Sequence, residues 1–133
     1  MKYLLVIVCC ALLGAAIVPA VATTRTVPAG TWGGDHVLFE VSRKGAEIEF
    51  DCAHGQITHR ITLDAHGRFN VPGTFTHEHG GPVLRDEKPS STQARYSGRV
   101  AGDAMSLTVM VGKEKVGAFT LTRGQQPNLM KCR

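Results

Sequence analysis

The sequence predicts an all-β fold: an antiparallel up-and-down meander of about eight strands, forming a small barrel or a strongly curled sheet. Three observations predict it. Apolar and polar residues alternate through successive short runs, no window sustains a helical period, and Gly-containing turns separate the runs. The one long interruption, Gly80 to Gln93, is rich in Gly, Pro, Ser and charge, which in a domain this small marks a functional or mobile loop.

The elements follow in order. Lys2, the apolar run Leu4 to Val18 and the small residues Pro19-Ala20-Val21-Ala22 have the layout of a secretory signal peptide, residues 1–22, with cleavage before Thr23. The run is short for a bilayer core, and no later stretch is apolar enough to span a membrane. Residues 23–133 then form a single domain. Val37, Phe39 and Val41 share one face, and after Arg43-Lys44-Gly45 the residues Ala46, Ile48, Phe50 and Cys52 share another. Reading His54-Gly55 as a two-residue turn sets Cys52 opposite Ile57, Phe50 opposite His59 and Ile48 opposite Ile61, with Glu49 meeting Arg60 on the wet side. A turn at Ala65–Gly67 places Leu63 opposite Phe69 and His59 opposite Gly73. Phe75 continues that strand. Tyr96, Gly98 and Val100 lead through Gly102-Asp103 into Met105, Leu107, Val109 and Val111; Phe119 and Leu121 face inward on the next strand, and a short strand near Asn128–Cys132 ends the chain.

Composition narrows the function. Removing the signal peptide takes Lys+Arg from 15 to 14 against 11 Asp+Glu, a net charge of +3 with no basic run, and aromatics suited to base stacking are few, so nucleic acid is not an expected partner. Cys9 and Cys10 leave with the signal. Cys52 and Cys132 remain, and two cysteines in an exported chain read as one disulfide that ties the C-terminus to an early strand, worth about 2–5 kcal/mol.

Gly30-Thr31-Trp32 at the entrance to the first long strand, followed by a β-meander, resembles the G-x-W signature of calycins, the lipocalin and avidin barrels. The resemblance implies a barrel with Trp32 plugging one end and a small ligand in the mouth. Size, export and a strand-end Cys52 with a C-terminal partner cysteine, Cys132, also resemble the small exported bacterial lysozyme and protease inhibitors, which implies a protein partner.

The same register decides which polar side chains can act together. In the stretch Glu49 to Asp64, Cys52, His54 and His59 do not converge as zinc ligands, and an oxidised Cys52 is no nucleophile. Alternation places His59 inward beside the Gly73 gap, a core histidine that could also serve, with Trp32 and Tyr96, as an interior ligand contact. His77 and His79 are candidate metal ligands if Asp86 or Glu87 supplies a third. His36 and Asp35 lie at one rim or the other. No catalytic arrangement and no cofactor motif is present. The expected function is that of a secreted or periplasmic, non-enzymatic binding module contacting a protein partner in the manner of an inhibitor; the alternative is a calycin-like carrier of a small ligand.

Overall fold

The computed structural model describes residues 16–21, 23–88 and 90–133. The predicted signal peptide therefore falls largely outside the described residues, and no helix among them is long and apolar enough to cross a membrane. The strands are β1 (Arg25–Thr26), β2 (Gly30–Gly34), β3 (Val37–Val41), β4 (Ala46–Phe50), β5 (Ala53–Ile57), β6 (Thr62–Leu63), β7 (Arg68–His77), β8 (Ser91–Ala101), β9 (Ala104–Val111) and β10 (Glu114–Arg123). Eight of them close an antiparallel barrel in the order β10-β2-β3-β4-β5-β7-β8-β9, and β1 pairs with β6 outside it.

The predicted faces hold. Phe39, Ile48, Phe50, Ile61, Phe69, Phe75, Met105, Leu107 and Leu121 are buried, with Leu63 and Phe119 packed against them. Trp32 and Tyr96 are the largest side chains excluded from solvent. Side chains of this size fill the interior of an eight-stranded barrel.

Three expectations fail. The turn between β4 and β5 is Asp51-Cys52, not His54-Gly55, so Glu49 pairs with His54, Ile48 with Gly55 and Ala46 with Ile57. β5 stops at Ile57, after which the chain bends away, and Thr62-Leu63 pairs with β1 instead of β7. His59 consequently lies outside the barrel, exposed, its ring against the Thr58 hydroxyl at 3.1 Å. The gap beside Gly73 belongs to Tyr96: a Cβ on Gly73 or Gly55 would overlap the phenol, whose hydroxyl donates to the Thr74 carbonyl at 2.7 Å. Burial pushes the phenol well above its usual range. The third failure is the terminal strand. Residues after Gly124 run back along the outside of β2 as irregular chain, and only Asn128 bridges, to Asp35.

This tail straps the junction between the first and last barrel strands. β10 meets β2 over two residue pairs, Thr122–Gly33 and Arg123–Trp32, whereas it meets β9 over eight. Gly33 lets the strap lie flat, since a Cβ there would collide with the main chain at Gln125 and Gln126.

Candidate functional site

The turns β2–β3 and β4–β5, the β7–β8 loop and the C-terminal tail gather at one end of the barrel. Phe50 closes the interior beneath them, its ring centroid 5.6 Å from Phe75 and 5.4 Å from Phe119. Above it Cys52 and Cys132 form the expected disulfide, with a Cα–Cα distance of 5.2 Å. The tail is also held by polar contacts: the Met130 amide donates to Asp51 Oδ1 at 2.8 Å, and Lys131 Nζ donates to the Phe50 carbonyl at 3.0 Å.

Around this anchor sit three histidine–carboxylate pairs. His36 Nδ1–H donates to Asp51 Oδ2 at 2.7 Å, and His54 Nδ1–H donates to Glu78 Oε1 at 2.9 Å. His79 lies with both ring nitrogens against oxygen, Nδ1 against the Gly80 carbonyl at 2.9 Å and Nε2 against Glu87. Only a doubly protonated imidazole satisfies two acceptors. Its pKa is raised accordingly, first by the Gly80 carbonyl and then by Glu87. The partner carboxylates move the other way. Asp51 is lowered, chiefly by the Met130 amide, and Glu87 chiefly by His79. Burial pushes Glu78 up, but the His54 bond and the Lys131 charge outweigh it and leave the carboxyl below its usual range. Lys131 Nζ lies between Glu78 at 3.5 Å and Glu49 at 3.8 Å. His36 holds a left-handed backbone with φ 67°, uncommon for a residue with a Cβ, and its amide donates to the Asn128 carbonyl at 2.8 Å.

An open depression of about 350 Å³ lies beside these pairs, lined by His54, Thr76, His77, Glu78, His79, Val83 and Glu87. His77 and His79, the candidate metal ligands, both line it. His77 stands edge-on to Phe75, centroids 5.0 Å apart, and both nitrogens of His79 are occupied. Among the described residues no group of three or more His, Cys, Asp or Glu is placed to hold a metal ion. Asp86 and Glu87 part company: Glu87 closes a turn by accepting from the Leu84 amide at 3.3 Å and binds His79, while Asp86 is exposed. Trp32 is buried at the opposite end of the barrel, where its indole N–H donates to the Pro28 carbonyl at 3.0 Å. Trp32 and Tyr96 therefore share the interior, and His59 does not join them.

Sequence reasoning missed the pairing of His54 with Glu78 and of His36 with Asp51. Both depend on the turn at Asp51-Cys52, which sets Ala53 opposite His77 and brings His54 diagonally across from Glu78, and no local sequence feature marks that turn. No family model, curated protein or solved structure matches this chain.

Proposed function

We propose that this chain is an exported, non-enzymatic binding protein that acts by contacting a protein partner, in the manner of an inhibitor. The observation that carries the reading is the filled barrel. Trp32, Tyr96, Phe39, Ile48, Ile57, Ile61, Met105, Leu107 and Leu121 are each less than 2 % exposed, which leaves the interior to side chains. Contact is then made from outside. The loop between β7 and β8, residues 78–90, supports this, because it presents Val83 at 76 % and Leu84 at 70 % exposure among charged neighbours. Apolar side chains set in a polar rim are the usual anatomy of a protein contact. The Cys52–Cys132 bond fits the oxidising compartment that the signal peptide addresses. The calycin-like alternative, a small ligand in the barrel mouth, draws support from the closed eight-stranded barrel with Trp32 buried at one end.

The test compares two variants of the oxidised protein. In one, residues 82–88 are replaced by a Gly/Ser linker; in the other, Tyr96→Phe alters the interior. Each is used as bait for partners in the extracellular fluid, and native mass spectrometry reads any co-purified small molecule. The reading expects loss of the captured protein with the loop variant and retention with Tyr96→Phe. A small molecule seated in the barrel, lost on Tyr96→Phe, would overturn it.

A further inference from the structure

The outer walls of the barrel carry charge of opposite sign. β3 and β4 present Glu40, Glu47 and Glu49 and contain no Lys or Arg. β7, β8 and β9 present Arg68, Arg95 and Arg99 and contain no Asp or Glu. Register sharpens the contrast. Glu40 pairs directly with Glu47, and Arg68 pairs directly with Arg99. Like charges directly opposite on one face destabilise a sheet, and exchanging a glutamate for an arginine between the walls would turn both pairs into favourable ones. Charge is therefore segregated here against the interest of stability.

Arg95 and Arg99 are held in place by neutral partners. Arg95 Nη1 donates to Asn70 Oδ1 at 3.0 Å and Arg99 Nε donates to the His66 carbonyl at 3.2 Å. Among the described residues the ion pairs within 4.0 Å all involve His or Lys, none an arginine. Asp64, four residues before Arg68, shapes the turn into β7, where its Oδ1 accepts from the amides of Arg68 and His66, and the Arg68 charge adds to these bonds in holding its carboxyl below the usual range. Between the arginines the wall is floored by small polar side chains. Ser97 lies opposite Asn70 and Thr108, and Ser106 lies opposite Arg99. An open depression of about 640 Å³ lies at the Arg68 end of the wall, bounded by Thr62, Leu63 and Asp64 on one side and by Arg68, Asn70, Val71 and Ser97 on the other.

We propose that the β7–β8–β9 wall is the docking surface for an acidic protein partner, whose carboxylates pair with Arg68, Arg95 and Arg99 while its chain approaches the hydroxyl floor. The proposal rests on the protein-contact reading and extends the contact along β7 and β8 to Arg68 and Arg99, at the end of these strands away from the exposed loop. A compact acidic patch fits better than a long polyanion. An extended anion following the barrel around would meet the glutamate wall, and the arginine wall exposes no aromatic side chain on which a nucleic acid could stack.

The experiment uses the oxidised protein and a fluorescently labelled oligoglutamate peptide, read by anisotropy at low and at physiological salt. Arg68→Gln/Arg99→Gln should weaken binding by about 2- to 30-fold, the combined worth of two exposed ion pairs, and leave the thermal midpoint equal or higher. Glu40→Gln/Glu47→Gln should leave binding unchanged or slightly tighter. The proposal is overturned if the arginine variant binds equally well, if its midpoint falls by several degrees, or if the native protein ignores oligoglutamate. It is overturned as well if the native protein binds a heparin fragment more tightly than oligoglutamate, because the wall would then read sulfated carbohydrate. Any of these results leaves the loop-replacement experiment to judge the protein-contact reading by itself.

Discussion

At the end of the barrel where β3 turns into β4, the interior is closed by apolar chain. Val27 and Ile61, brought there by the β1–β6 pair, are buried against the core, the Val27 amide donates to the Ile61 carbonyl at 3.0 Å, and Trp32 fills the space below. At the other end the Phe50, Phe75 and Phe119 cluster is covered by a disulfide, a tail and histidine–carboxylate pairs. The first end relies on burial, which is insensitive to pH and redox state. The second relies on a covalent bond and on protons, and both respond to the surroundings. A protein that meets its partner with the second end would place its condition-dependent contacts where the encounter happens.

The comparison can be broken at four points, given from the largest expected effect downward. Trp32→Ala should cost about 3–5 kcal/mol in urea unfolding, with Trp32→Phe costing less, because a fully buried ring is lost together with its bond to Pro28. Cys52→Ser/Cys132→Ser should cost about 2–4 kcal/mol and should loosen the tail before it loosens the Trp32 end, as hydrogen exchange would reveal. If the two ends lost protection together, the distinction between them would be wrong.

The third point is Asp51. Its pKa is lowered in the fold from 3.8, so its stabilising effect is complete above that value and is lost as pH falls through the lower, folded one. Asp51→Asn should cost about 1 kcal/mol at neutral pH through the Met130 and His36 contacts, and should flatten the loss of thermal midpoint below the ordinary carboxylate range. A variant with the native acid profile would remove Asp51 from the account. The smallest effect belongs to His79, raised from 6.5: its contribution is complete below 6.5 and fades as pH rises through the higher folded value. NMR should show the His79 ring titrating above 6.5 in the native chain and shifting back in Glu87→Gln.

The Trp32 end was the more legible of the two. Period-two alternation put Phe39, Ile48, Phe69, Met105 and Leu107 inward, and strand parity survives an error in register when the slip is even. That is why Ile48 and Ile57 were placed on the correct face although their partners were not. The disulfide followed from counting cysteines. The polar rim did not follow, because its organising turn, Asp51-Cys52, has no local marker to rival His54-Gly55. What fixes it is distant chain: the Met130 amide on the Asp51 carboxylate and Cys132 on Cys52. His59 failed for a related reason. Alternation carried beyond Ile57 would have kept it inside, but the chain leaves the sheet there to pair with Arg25–Thr26, a contact across the sequence that no local pattern announces.

The two-pair junction between β2 and β10 has a kinetic consequence. It joins residues from opposite ends of the domain, so its formation carries a large chain-entropy cost, and so few contacts reward it that it is expected to form late in folding. Cys52–Cys132 changes that order, because an oxidised chain starts with its tail already tethered beside β4 and β5. The search that remains for β10 is a short one. Refolding of the oxidised chain should therefore outpace that of the reduced chain, and the bond sets the speed at which the ring is completed as well as its permanence.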